Sequence, residues 1–321
     1  MRKGFIYCLL LSGERAGSLL SFEELQAWTP EQGLLWVHLN YEETHAREWL
    51  YGQTLPRLEI DALLTRDTRP RAIVTEQGML LALRGVNLNP DADPEDMVAL
   101  RLLASETRII STSRRSLHSV KELADKIMLR QGPKTTGEFI LEICDRLTLR
   151  KTEFIAKLDD KMDELEELLV SGGKQDLRSD IAELRRQTVA LRRYLAPQRE
   201  AFAAMQTDED TLLNHHEQMR LREIRDRLVR AIEDLEAIRD RANVTQEELL
   251  SRQSEELNQR LYFLSLVTAV FLPLGFLTGL LGVNIGGIPG ANTDWAFAAF
   301  CGLLILLVAV QLLLFYRKRW L

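Results

Sequence analysis

The sequence predicts an α+β protein: a cytoplasmic α/β domain, a long helical stalk and two carboxyl-terminal transmembrane helices. Three observations carry that expectation. Strand-like apolar segments separated by turn residues fill roughly the first 115 positions. Helical periodicity with dense charge takes over after Ser116. Near the end, two runs, 261–293 and 295–316, contain no Asp, Glu, Lys, Arg or His. Each is long enough to cross a bilayer, whose roughly 30 Å apolar core takes about 20 helical residues.

The candidate strands are 4–11, 34–40, 70–76, 79–86, 97–104 and 107–113, with a short helical pattern at 58–67. The EQG at 76–78 suits a tight turn, so 70–86 reads as a hairpin. Residues 1–116 are therefore expected to form the α/β domain. Residues 117–206 read as long helices interrupted at Gln131-Gly132-Pro133, Ser171-Gly172-Gly173 and Pro197. A last helix is expected to start near Asp208-Glu209-Asp210, acids suited to a helix amino terminus. Nothing interrupts it before Pro273, so it would continue to Leu281 and measure about 110 Å. Its stalk portion is 207–260 and its membrane portion 261–281. A loop at 282–294 leads to the second span at 295–316, and 317–321 form a basic tail.

The bulk composition of the 321 residues, 46% hydrophobic and 27% charged with net charge −6, resembles that of a soluble protein, an average that misleads because the apolar residues are unevenly spread. The start, MRKGFIYCLLLSGER, has too short an apolar run for a signal peptide and reads as a strand. Cys8, Cys144 and Cys301 are far apart and odd in number, which argues for a reducing compartment and against a disulfide framework. Arg252 and Arg260 precede the first span, Arg317, Lys318 and Arg319 follow the second, and the loop between has no basic residue. The positive-inside rule then places both termini in the cytoplasm. No basic domain stands out, so nucleic acid is not an expected partner.

Read in steps of three and four, Asn258, Leu261, Ser265, Thr268, Leu272, Gly275 and Gly279 share one helix face. This face is smaller and more polar than the rest of the span. Such residues let helices pack closely in lipid, or they line a narrow water-accessible path, and the strip alone leaves both open. Stepping back by sevens gives Asp226, Glu233, Asp240 and Glu247, four acids in the same register. Residues 207–256 hold 14 acidic and 8 basic residues. Acids facing a shared axis attract cations, although they also suit a solvated face. Two spans cannot enclose a channel, so the transport reading needs several copies around one axis. Arg178, Arg185, Arg192 and Arg199 also recur every seven residues, beside Arg186 and Arg193; they suit pairing with the acidic helix or a solvated face, and the solvated face is the expectation. Pro273 removes the hydrogen bond to the Ala269 carbonyl, which bends the helix or frees that carbonyl toward the path. The first span carries no ionisable group that could act as an intramembrane proton carrier.

The whole arrangement resembles the CorA metal-ion transporter superfamily over essentially the entire chain. LRRYLAPQREAF (191–202) and FLPLGFLTGLLGVN (271–284) are similar to segments of that family. Its usual Gly-Met-Asn signature is replaced here by Gly282-Val283-Asn284, followed by IGGIPG, a variant that resembles the ZntB zinc-transporter branch. The resemblance implies a funnel-shaped homopentamer in the inner membrane whose first span lines the pore and whose second faces lipid. It also implies Zn²⁺ as transported substrate, with Cd²⁺, Ni²⁺ or Co²⁺ as companions, taken up with protons. Gly282, Val283 and Asn284 would form the selectivity mouth, and the strip from Asn258 to Gly279 would line the pore.

Five Asn284 amide oxygens can accept hydrogen bonds from an ion's water shell without stripping it. Asn284 also suits a helix carboxyl cap, and the two roles are compatible. Zinc prefers Cys, His and carboxylate ligands, and none lies between 261 and 293, so a hydrated ion is favoured. His215 and His216 are weak candidates for a cytoplasmic zinc site, Glu223 and Asp226 lie where the family's magnesium sensor uses acids, and His38, His45 and Cys301 read as packing residues. No cofactor is expected. Neither is an enzyme, since there is no P-loop, H-E-x-x-H motif or nucleophile elbow, and GGIPGA follows no strand. Two readings compete with zinc transport: a CorA-like Mg²⁺, Co²⁺ or Ni²⁺ channel, and a membrane-anchored helical scaffold that transports nothing.

Overall fold

The computed structural model describes residues 3–172, 176–207, 212–282 and 293–317. Six strands, β1 (Phe5–Leu10), β2 (Leu35–Asn40), β3 (Arg71–Thr75), β4 (Gly78–Gly85), β5 (Val98–Ala104) and β6 (Arg108–Ser113), form one sheet ordered β1-β2-β6-β5-β4-β3. All neighbours are antiparallel except β2 and β6, which run parallel. Each strand falls within a predicted apolar segment except β4, which begins one residue early, at Gly78. The hairpin between β3 and β4 pairs Thr75 with Gly78, which has φ +135°. A Cβ there would sit 2.0 Å from the Ala104 carbonyl oxygen of β5, so only glycine fits.

Alternation along the strands gives the sheet two buried faces. One meets α1 (Phe22–Gln26), α2 (Thr44–Tyr51) and α3 (Arg57–Leu64), whose Leu25, Ala46, Leu50, Ile60 and Leu63 join Val37, Leu39, Leu103 and Ile110 in the core. The other is covered by α4 (His118–Met128) and α5 (Thr136–Ser171): the Trp36 ring lies edge-on to Phe139 at 4.9 Å. The result is a helix–sheet–helix sandwich.

Helix α6 (Leu177–Thr207) lies against the sheet edge formed by β3 and β4. It passes through Pro197 without interruption, which corrects the expected break. Proline costs the helix one hydrogen bond, but Leu195, Ala201 and Phe202 on either side are buried and hold it in place. Gln198 has a further role. The last pairing of β3 is Arg71 with Ala82, so the Arg84 N–H of β4 lies beyond it, and Gln198 Oε1 accepts that N–H at 2.9 Å.

Helix α7 runs His215–Leu281. The expected start at Asp208–Asp210 lies outside the described residues, and Asn214 is the cap that the structure shows. Asn214 Oδ1 accepts from the Glu217 N–H at 3.0 Å, while Glu217 Oε2 accepts from the Asn214 N–H at 2.8 Å. Glu217 Oε1 also accepts from Thr135 Oγ1, the N-cap of α5, at 3.3 Å. A single buried carboxylate thus serves the starts of two helices. Farther along α7, Arg241 reaches Asp159, Asp163 and Glu166 on α5, and Arg227 reaches Asp145 at 2.7 Å. Arg192 does not stand in solvent alone as expected: it pairs with Glu236 of α7 at 2.7 Å, and Arg185 reaches Gln246.

By packing, the chain divides into two compact units, Met1–Gln246 and Glu247–Leu321, with the boundary inside α7. The second unit contains the last part of α7 and α8 (Ala296–Arg317). Both helices are long and apolar enough to cross a membrane, and their apolar windows are not buried within the chain.

Candidate functional site

In the second unit, α7 and α8 share one line of contact. On α7 the half-buried positions are Leu266, Val267, Val270, Pro273, Leu274 and Leu277. On α8 they include Phe300, Leu304, Leu307, Val308, Gln311 and Phe315, spaced at three or four residues as one face requires. Cys301 is half-buried beside them. Asn258, Leu261, Ser265, Thr268, Leu272, Gly275 and Gly279 are all exposed. At 100° per residue, this strip centres on the side of α7 away from the Leu266–Val270–Pro273–Leu277 contact line, while its edge residues border α8: Gly275 lines a groove with Leu304, Val308 and Leu312, and Ser265 one with Phe315. No atom would come within 4 Å of a Cβ added at Gly275 or Gly279.

The strip carries no titratable group. Its polar members are Asn258, Ser265 and Thr268. Thr268 donates its hydroxyl hydrogen to the Leu264 carbonyl at 2.9 Å, which leaves the oxygen as an acceptor. Gly282 closes the helix by giving its N–H to the Thr278 carbonyl at 2.9 Å. A Cβ at Gly282 would sit 2.7 Å from that oxygen, so the position selects glycine. Val283 and Asn284 lie outside the described residues.

Pro273 does not interrupt α7. The Ala269 carbonyl, which Pro273 cannot serve, accepts a hydrogen bond from Gln311 Nε2 of α8 at 3.2 Å. It is therefore turned to the second span and not to the polar strip. Gln311 escaped the sequence reading because it is uncharged, yet it was the signal to look for: a lone amide in the otherwise apolar run 295–316.

In the first unit, Glu233 and Asp240 are exposed and Asp226 is half-exposed. They lie opposite the buried positions Leu221, Leu228, Leu235 and Ala242 of the same helix. Asp226 and Asp240 pair with the preceding Arg225 (3.2 Å) and Arg239 (2.7 Å). Glu247, exposed, begins the second unit. Glu223 is exposed as well. His215 and His216 are exposed in the first turn of α7. Among the described residues no three His, Cys, Asp or Glu side chains converge as a metal site.

His38 is a structural histidine. Its Nδ1 meets Ser111 Oγ at 2.8 Å and its Nε2 meets Ser113 Oγ at 3.2 Å. Complete burial pushes its pKa down to about 3. In the unfolded chain a histidine titrates near 6.5, so between these values the unfolded state binds more protons. The contribution of His38 to stability is complete above pH 6.5 and is lost as the pH falls toward 3. Urea unfolding of the detergent-solubilised protein at pH 7 and pH 5 is expected to show a loss of about 2 kcal/mol that His38→Gln does not share. Equal acid sensitivity in both proteins would show that His38 is not the cause.

Comparison with known proteins adds four findings. A family model described as CorA-like Mg²⁺ transporter protein matches residues 31–318. The zinc transport protein ZntB of Yersinia enterocolitica is 36% identical over 98% of this chain and 96% of its own. The divalent cation transporter CmaX of Pseudomonas aeruginosa is 37% identical over 99% and 97% respectively. A solved structure of full-length CmaX superimposes with a TM-score of 0.87 at 35% identity, covering 100% of this chain and 99% of that one.

Proposed function

The chain belongs to the CorA-like family of transporters, and on that premise we propose that it conducts hydrated Zn²⁺ through a pore lined by α7. The observation that carries the reading is the strip from Asn258 to Gly279: exposed, free of titratable groups, and centred on the side of α7 opposite its contact line with α8. Five copies of the chain surround one axis, with α8 outside against lipid. Residues 1–260 and both termini are cytoplasmic, the membrane is the inner membrane, and the direction is uptake coupled to protons. Cd²⁺, Ni²⁺ and Co²⁺ are companion substrates.

The chemistry supports a cation that keeps its water. Zinc that shed its shell would demand nitrogen, sulfur or carboxylate ligands, and the strip offers none. Hydroxyl and amide oxygens accept hydrogen bonds from coordinated water and release it readily, as conduction requires. Gly282, Val283 and Asn284 form the outer selectivity mouth. Asp226, Glu233, Asp240 and Glu247, half-exposed or exposed on α7, raise the local cation concentration on the cytoplasmic side.

A second reading is a Mg²⁺, Co²⁺ or Ni²⁺ channel, favoured by the description of the family model and by the equal likeness to CmaX. Metal-dye flux in proteoliposomes separates the two. The expected result is Zn²⁺ entry that rises when the metal and protons run down gradients in the same direction. Robust Mg²⁺ flux without Zn²⁺ flux would transfer the assignment to the second reading, and Zn²⁺ flux indifferent to the pH gradient would remove proton coupling.

A further inference from the structure

We propose that Gln311 is a positioning residue for conduction: it caps the Ala269 carbonyl left without a donor by Pro273 and so fixes that turn of the pore helix against the second span. This rests on the transport reading above. A proline at position 273 has no N–H to give to the carbonyl four residues back. In the apolar core of a bilayer an unserved carbonyl costs several kcal/mol, so it must find a donor in a neighbouring helix or in water. The only water in such a span is in the ion path. Gln311 Nε2 supplies the alternative from α8 at 3.2 Å. Its Oε1 is buried with no hydrogen-bond partner among the described residues, so the bond to Ala269 is the polar contact for which the amide is placed.

The consequence for conduction is geometric. Ala269 follows Thr268 directly, and Pro273 follows Leu272, so two strip residues are neighbours of the two ends of the defect. A carbonyl held by α8 keeps Thr268 and Leu272 on the side away from that helix. A carbonyl released to find water rotates this turn and carries both residues with it. Gln311 therefore sets the width of the path without touching the ion.

The test is a cycle with Pro273→Ala, because alanine restores an N–H that serves the Ala269 carbonyl within α7. Gln311→Met keeps the length of the side chain and removes the donor. In the native Pro273 background, Gln311→Met is expected to lower maximal Zn²⁺ flux roughly three- to tenfold, the range carried by interhelical hydrogen bonds in membranes. The half-saturating Zn²⁺ concentration should stay unchanged, since no ion contact is lost. Pro273→Ala and Pro273→Ala/Gln311→Met should match each other within about twofold. A Gln311→Met protein with wild-type flux, or one that loses the same factor in both backgrounds, overturns the proposal. If Gln311→Met alone fails to assemble, assembly of the double variant supports the capped carbonyl, and its failure overturns it. Absence of metal flux from the wild-type protein would instead strike the transport reading, leaving the assembly comparison to judge the contact.

Discussion

Arg84→Ala is expected to destabilise the amino-terminal unit by about 3–5 kcal/mol, the combined cost of two buried carbonyls left without a donor and of the cavity beside them. Arg84 sits near the end of β4 with 8% of its surface exposed. Its guanidinium donates to the Thr68 carbonyl at 2.8 Å, to the Met97 carbonyl at 2.9 Å and to Asp67 Oδ1 at 3.2 Å, and lies 4.5 Å above the Tyr194 ring of α6. Truncation strands the two carbonyls in a buried site and opens a cavity beside them. Arg101, fully buried on β5, holds the same connection through the Arg66 carbonyl at 2.9 Å. The two arginines fasten the segment between α3 and β3 over the sheet. For a unit of this size the loss corresponds to a fall in melting temperature of roughly 6–15 °C. Arg84→Lys should recover less than half of it, because an ammonium group cannot span the two carbonyls as the planar fork does. A shift for Arg84→Ala below about 2 °C would mean that water serves the carbonyls equally well.

Much of this fold was legible because its signals are local. Each of the six strands is an apolar run that ends in turn residues, and Gly78 marks the one hairpin where a side chain has no room. The spans and the strip on α7 followed from missing charge and from helical spacing. What escaped depends on partners distant in sequence. Pro197 looks like a helix breaker until α6 is packed against the sheet edge, where buried neighbours outweigh the lost bond. Asn214 and Glu217 carry a capping-box spacing, but the acids at 208–210 offered a louder charge signal for the same helix start. Arg84 and Arg101 interrupt apolar strands in plain view, and only the fold shows that carbonyls 16 and 35 residues away answer them. Gln311 is the sharpest case. A search for charge passes over an amide, and its meaning depends on a carbonyl 42 residues earlier that a proline has left unserved.

The conduction reading makes its largest prediction at Gly275. Gly275→Leu is expected to reduce Zn²⁺ flux to less than about a tenth of wild type, by lengthening an apolar constriction that water leaves. Nothing in the subunit lies within 4 Å of a Cβ at this position, and the space beyond it is an open groove beside Leu304 and Val308 of α8. Leucine also favours helix by a few tenths of a kcal/mol or more over glycine, so the subunit gains nothing that would unfold it. On the conduction reading the loss comes from outside the subunit, where five new side chains would meet around one axis beside Leu272. The matched control is Gly302→Leu on α8, equally open in the structure and facing lipid in this arrangement, which should leave flux within about twofold. A scaffold that transports nothing, or a helix whose strip faces lipid, gives the opposite pattern, since there Gly275 and Gly302 are interchangeable. Flux measured side by side for the two variants in proteoliposomes therefore decides which side of α7 holds the path: parity between them would place the strip in lipid and take the pore away from this face.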